Sequence, residues 1–382
     1  MSKSMKALVA GAGFGGLAVA TALAQRGWAV TVHERQSELR ASGSGIYIWE
    51  NGLRILDALG AQVVAAGAFH GRAIEQRDAQ GQVIDDGELP PALRLVTVPR
   101  ADLLHGLRDA AVRAGVNICT GSEVLGASAH GELFFAGNRS ESAHLVVGAD
   151  GVWSPVRRSL GLELLHEQTR EGALRAMIAG TQADLGPGGQ GKYIECWSGE
   201  RRLLITPLNE CEIYLAFTCM GEDTAGCASP LDKATWTASF PQWAHLIDRV
   251  DRLLPWSPYS VVKVRSWSAG CAAVMGDAAH AQPPNLGQGG GMSMQTGLAL
   301  AVFMEGLDDP RDVPRRLRAW ESSQRELAEH CQRWSCLYGE VSRLPDEVRG
   351  RVVRQGMADS WLRAQMLRAA HSTPLGTLSP VR

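Results

Sequence analysis

The sequence lacks a charge excess of either sign: Lys and Arg number 38 against 40 Asp and Glu, a formal net charge of −2. A general nucleic-acid binder carries a basic excess to meet phosphates, so that class is set aside. Tyrosine is scarce, with 5 residues against 11 tryptophans, and a tryptophan count alone identifies no ligand. The 8 cysteines form no C-x-x-C pair and no zinc spacing, which predicts no metal and reduced thiols in a cytoplasmic protein. Long hydrophobic runs are missing too. Two uncharged windows, 7–25 and 278–304, approach membrane length, but both are interrupted by glycines and the second also by Pro283 and Pro284. Both read as strand–loop–helix turns. The opening MSKSMKALVAG holds no apolar signal core, so no membrane partner or export is expected.

Glycine is abundant instead, 43 of 382 residues against a usual share of about 7%. Without collagen periodicity, such an excess points to turns where the backbone must approach something closely. The start reads as a βαβ unit, with a strand at 6–10, a glycine turn at 11–16, a helix at 17–26 and a strand at 29–34. Asn51 is placed to cap a helix carrying Leu53, Leu56 and Leu59 and stopped by Gly60. A second helix is expected over 100–114, and 145–148 reads as a buried strand. From 174 to 266 the texture changes to strands at 192–197, 202–207, 212–219 and 261–267, with a helical stretch around 231–250. Residues 271–275 return to the first texture, Arg-rich helices begin near Val313, and 371–382 reads as a loose tail. The fold expected is α/β, Rossmann-like, with an inserted antiparallel sheet and a C-terminal helical segment.

Three glycine motifs carry chemistry. Gly11, Gly13 and Gly16, with Phe14 and Gly15 between them, spell G-x-G-x-x-G after a strand and before a helix. Such glycines let backbone amides at a helix N-terminus reach a pyrophosphate. Glu34 follows at the end of the second strand, where an acid binds ribose hydroxyls, and Arg35 stands beside it. Asp150 and Asp277 each follow an apolar strand, in GADGVWSPVR and GDAAH, and the second motif runs on to Gly287, Gly289 and Gly290. Three remote glycine loops suit one long dinucleotide such as FAD better than a single nicotinamide site.

These motifs resemble the three fingerprints of the class A FAD-dependent aromatic monooxygenases, which share the para-hydroxybenzoate hydroxylase fold. The resemblance implies FAD at Gly11, Gly13, Gly16, Glu34, Asp150 and Asp277, and a flavin contact from Arg100. It divides the chain into an FAD-binding domain (1–70, 98–165 and 268–330), a substrate domain (71–97 and 166–267) and a C-terminal helical segment (331–382). Gly291, Gln295 and Thr296 depart from residues frequent in the family. His280 lies in a structural turn of its pattern. A closer similarity, in 37–56 and in the pattern Arg202-Leu-Leu-Ile-Thr-Pro…Glu-Ile-Tyr214-Leu, is to the pyridine-ring oxygenases, those of 2-methyl-3-hydroxypyridine-5-carboxylic acid among them. It implies that Arg175, Arg202, Tyr214 and Tyr47 line the ring pocket, and Pro283 is counted with them. An arginine can fix a carboxylate in two-pronged fashion, and a tyrosine hydroxyl can hold a ring oxygen.

The resemblance thus implies an NAD(P)H-dependent monooxygenase of a small hydroxylated aromatic, a hydroxypyridine or related N-heteroaromatic acid, acting through a flavin C4a-hydroperoxide. Hydroxylation alone and hydroxylation with ring opening are both compatible with the resemblance. NADH or NADPH is expected to dock transiently, O2 is the co-substrate, and the chain is a monomer or homodimer. The alternatives are a flavoprotein dehydrogenase or reductase without oxygen insertion, and a flavoprotein that senses a ligand without turnover.

Overall fold

The computed structural model describes residues 4–40, 44–63 and 68–377. Positions 41–43 of the stretch 37–56, and 378–382 of the expected tail, lie outside them. The fold is the α/β one expected, built on two main sheets. Among the described residues the first sheet has six strands, in the order Ser268–Ala269, Ala272–Val274, Leu145–Gly148, Lys6–Ala10, Ala29–His33 and Asn117–Cys119. Its pairs are parallel except at the Ser268–Ala269 edge. Lys6–Ala10 and Leu145–Gly148 are central and almost wholly buried, which explains why their sequences are continuous apolar runs. The helices Phe14–Ala24 and Gly289–Phe303 pack together across this sheet and read apolar all round for the same reason.

The second sheet has seven strands, running Leu254–Val264, Glu163–Ala179, Glu212–Met220, Arg201–Pro207, Lys192–Ser198, Ala73–Arg77 and Val83–Asp85. It is antiparallel except where Lys192–Ser198 meets Ala73–Arg77. One face buries Leu174, Ile194, Leu203, Ile205, Leu215 and Phe217 against Trp236, Phe240 and Trp243. The opposite face is left for the cavity described below.

Four local expectations change. Asn51 lies inside the helix Glu50–Leu59, whose N-cap is Trp49, and its amide donates to Gln288 at 3.3 Å and Gln295 at 3.2 Å. Its polar group thus serves a tertiary contact rather than a cap. The stretch 231–250 breaks into Lys233–Ser239, a 3₁₀ turn Pro241–Trp243 and Ala244–Ile247, because Pro241 removes an amide donor. The strand expected at 261–267 runs instead over Leu254–Val264. The described part of the tail is anchored at two points, Pro374 being buried and Gly376 packing on Val302 and Leu298, while His371, Thr373 and Leu375 are exposed. The helix Val313–Glu340 is continuous across position 330, and Asp346–Ala358 and Ser360–Leu367 follow it. None of the helices among the described residues is long and apolar enough to cross a membrane.

Candidate functional site

The glycine turn joins the central strand to its helix through unusually close backbone packing. Gly11 holds φ at +96°, and a side-chain carbon there would sit 2.4 Å from the Ala149 carbonyl oxygen. At Gly16 the same carbon would sit 2.0 Å from the Gly11 oxygen, so only glycine lets the helix start this near the strand end. Gly13 and Gly289, by contrast, face open space with nothing within 4 Å. Both border a cavity of about 620 Å³, which is also lined by Phe14, Gly15, Gly287 and Gly290. A second cavity of about 210 Å³ shares Gly13, Phe14 and Arg100 with the first and adds Ala12, Glu34 and Arg40. Glu34 is aimed by its own acceptances, from the Ala12 amide at 3.0 Å and the Gln36 amide at 2.9 Å.

Arg100 stands where the two cavities meet, with its guanidinium over the Phe14 ring at 4.8 Å. Burial lowers its pKa, and the Tyr214 and Asp277 groups oppose that shift. Asp277 opens only onto the large cavity. Burial raises its carboxyl pKa and Arg100 draws it back. Two connected spaces, bordered by a helix N-terminus, uncovered glycines and an acid on the second strand, fit the shape and chemistry of FAD.

Of the expected cofactor and pocket residues, Gly11 and Gly16 line neither cavity and serve the turn behind them, and three more sit elsewhere. Arg35 is exposed and lines neither cavity, because the chain has left the strand Ala29–His33 and turned outward. Gln36, Leu39 and Arg40 form that rim instead. Asp150 also lines neither cavity: its carboxylate accepts the Val156 amide at 3.2 Å at the start of the short helix Pro155–Ser159, while Ala149 and Gly151 border the cavity. Pro283 is buried, with its carbonyl taken by the Ser335 hydroxyl, and Pro284 and Asn285 are the residues that reach the cavity.

The opposite wall follows from strand alternation. In Glu212–Met220, Ile213, Leu215 and Phe217 face the apolar core, which turns Tyr214, Ala216 and Thr218 to the cavity. In Glu163–Ala179 the same rule puts Leu174 in the core and Ala173 and Arg175 on the cavity. Burial raises the Tyr214 pKa, and the adjacent Arg175 draws it back. Tyr214 therefore stays a protonated donor at neutral pH. Tyr47 lines the cavity from the strand Gly45–Trp49 and hydrogen-bonds Thr206. The Trp49 indole donates to the Leu286 carbonyl at 3.0 Å, pinning the glycine loop to this strand.

The two arginines differ sharply. Arg175 is half-buried, with a 3.3 Å contact to Ser257 and its guanidinium 5.9 Å from the Tyr259 ring, and no carboxylate pairs with it among the described residues. Arg202 is 2% exposed and committed: it meets Glu195 at 3.2 Å, Glu171 at 3.6 Å and the Asn285 amide oxygen at 2.6 Å. Burial lowers its pKa, but the two carboxylates more than reverse this and hold it charged. Arg202 lines the large cavity as expected, but its two terminal nitrogens are engaged and only Nε lacks a partner among the described residues, so it offers no two-pronged site for a substrate carboxylate. Glu195 also accepts from the Tyr338 hydroxyl at 2.6 Å and from Gln76 at 3.2 Å.

Glu171, Glu195, Tyr259, Asn285 and Tyr338 were not among the expected residues. A glutamate at the alternating outer position of an otherwise apolar strand, as at Glu195 between Ile194 and Cys196, was the available signal. His280 is buried against Trp267, at 5.2 Å between ring centroids, and lines neither cavity. Burial depresses its pKa to about 4. Among the described residues no cluster of His, Cys, Asp or Glu could hold a metal ion.

Residues 4–334 match the family described as "FAD binding domain". A 2-heptyl-3-hydroxy-4(1H)-quinolone synthase of Mycobacteroides abscessus is 39% identical over 347 residues, 90% of this chain and 92% of its own. A Rhodococcus erythropolis protein provisionally assigned the same activity is also 39% identical, over 97% of both chains. The tetrameric form of 2-methyl-3-hydroxypyridine-5-carboxylic acid oxygenase superposes with a TM-score of 0.86 at 33% identity, covering 98% of both chains.

Proposed function

The chain belongs to the FAD-binding-domain family of aromatic flavoprotein monooxygenases, and from that premise we propose that it hydroxylates a 2-alkyl-4(1H)-quinolone at ring carbon 3. It uses FAD, with NAD(P)H as reductant and O2 as oxygen source. The observation that carries the substrate class is the make-up of the large cavity. Arg175 and Tyr214 line the same cavity as the glycine loops, and toward the other edge of the sheet the lining becomes largely apolar, with Ile74, Leu89, Met366 and Leu367 beside Gln76 and Arg363; we read this part as an arm. A small pyridine acid, the earlier expectation, would leave that arm unfilled. Identity to the quinolone synthases, at 39%, also exceeds the 33% to the pyridine oxygenase.

The flavin, when bound, supplies hydride acceptance and oxygen activation. The protein's own groups hold the ring. Carbon 3 of a 4-quinolone lies between the ring carbonyl and the nitrogen-bearing carbon 2, to which it is doubly bonded, and is electron-rich because the nitrogen donates into that double bond. The Tyr214 hydroxyl and the Arg175 guanidinium hold the ring oxygen and so fix the position of carbon 3, while the electrons that carbon 3 gives up come from the ring nitrogen, which loses its proton. Phe14, Trp49 and Leu286 exclude water on the glycine-loop side. Arg202, with Glu171 and Glu195, braces the wall.

Holoprotein given 2-heptyl-4(1H)-quinolone, NADH and ¹⁸O2 is expected to release a product carrying one labelled oxygen. NADH oxidation with no labelled product would identify a reductase and contradict the proposal. Unchanged background NADH consumption would identify a binding protein, and equally contradict it.

A further inference from the structure

We propose that the helices Asp346–Ala358 and Ser360–Leu367 form the closed end of the alkyl arm, so that Met357 and Met366 set the chain length accepted. The inference rests on the quinolone reading above. The ring end lies on Glu163–Ala179 and Glu212–Met220, through Arg175 and Tyr214. The arm crosses the same sheet to Lys192–Ser198 and Ala73–Arg77, near its other edge. From Glu212–Met220 to Ala73–Arg77 is three strand steps, or about 14 Å at the usual spacing.

There the arm runs between two apolar clusters. Tyr193, Ile74, Leu89 and Leu367 belong to one, and Met357 and Tyr338 to the other. Most polar groups along it are engaged: Gln76 and Tyr338 both serve Glu195 and Arg363 donates to the Glu88 carbonyl, with the Gln76 side-chain oxygen left without a partner among the described residues. The rest of the surface offered to a ligand there is mainly the hydrocarbon of Ile74, Leu89, Met357, Met366 and Leu367.

The two helices are held in place by neighbouring elements. His330 bonds the Gln365 carbonyl at 2.8 Å, Arg368 meets Glu326 at 2.7 Å, and Arg363 donates to the Glu88 carbonyl. Asp346 accepts the Gly199 amide at 3.1 Å. A fixed backbone with flexible thioethers on its inner side makes a wall whose depth depends on side-chain volume. The family match ends at residue 334, so both helices lie beyond the matched segment while the glycine loops lie within it. Variation in this C-terminal segment can thus retune the substrate without touching the flavin wall.

The test compares kcat/KM for 2-methyl-, 2-pentyl-, 2-heptyl- and 2-nonyl-4(1H)-quinolone in the wild type, Met366→Trp, Met366→Ala and Met357→Ala holoproteins. Wild type is expected to gain on the order of tenfold for every two methylenes until the arm is full. Met366→Trp should cut the heptyl-to-methyl ratio about tenfold, and the alanine variants should move the optimum to the nonyl compound. If Met366→Trp loses its flavin, the two alanine variants decide. Chain-length ratios unchanged in all variants would overturn the inference while the quinolone reading stands, as would a wild type indifferent to chain length. A wild type that oxygenates none of the four compounds overturns the reading itself, and the inference with it.

Discussion

The two walls of the large cavity are built by opposite means. The flavin-side wall is backbone: strand ends of the parallel sheet turn sharply at glycines, and function depends on side chains that are missing. The ring-side wall is side chains: alternate residues of an antiparallel sheet point at the cavity from a scaffold that would fold the same way with other residues there. The first wall tolerates no added atom at Gly11 and Gly16, whereas the second can be respecified residue by residue. That difference explains how chains sharing one cofactor can differ in substrate.

The largest expected effect breaks the backbone wall. Gly16→Ala puts a carbon 2.0 Å from the Gly11 oxygen, so purified protein should carry on the order of tenfold less flavin, read as the ratio of visible to ultraviolet absorbance. Full flavin content in that variant would mean the turn is not tightly constrained.

Arg202→Met probes the side-chain wall where it is structural. It leaves Glu171 and Glu195 buried without their cation, and should lower stability by about 3–5 kcal/mol in urea unfolding. A loss of substrate affinity at unchanged stability would return Arg202 to the ligand-binding set.

His280 sharpens the contrast from behind the flavin wall. Its folded pKa, about 4, lies below the ordinary 6.5, so the unfolded chain takes up the proton first as pH falls. Stability is therefore full above pH 6.5 and lost progressively down to pH 4. The loss amounts to about 3 kcal/mol, which His280→Gln should remove from the pH profile. Equal profiles for the two proteins would show that the imidazole titrates normally.

The smallest effect is expected at Arg175, whose guanidinium no carboxylate holds among the described residues. Arg175→Met should leave the urea midpoint close to wild type and raise the substrate dissociation constant about tenfold to a hundredfold, the range for one charged hydrogen bond. If Arg175→Met and Arg202→Met lost the same stability, the division between free and braced arginines would fail.

How far the sequence could be read follows the same division. The flavin wall was legible because its requirement is spacing. Gly11, Gly13 and Gly16 must fall at fixed offsets after an apolar strand, and the central strand Lys6–Ala10 and the left-handed stop at Gly60 appear where the pattern places them. The ring wall was only partly legible. The pattern along Glu212–Met220 identifies a strand, but it cannot say whether Tyr214 meets a ligand, or that Arg202 is already taken by Glu195 on the adjoining strand and by Glu171 on a third. The same limit hid the tertiary duties of Asn51 and Asp150. It also hid the C-terminal helices at the arm, since Met357 and Met366 look there like ordinary amphipathic-helix residues.

The central claim is that one continuous cavity brings the ring-binding wall to the flavin. Titrating holoprotein with 2-heptyl-4(1H)-quinolone under anaerobic conditions, and following the flavin absorbance, tests it most directly. The account predicts a difference spectrum that saturates at one ligand per flavin and requires a much higher ligand concentration in Arg175→Met. Calorimetric binding of the quinolone with no change in the flavin spectrum would contradict it.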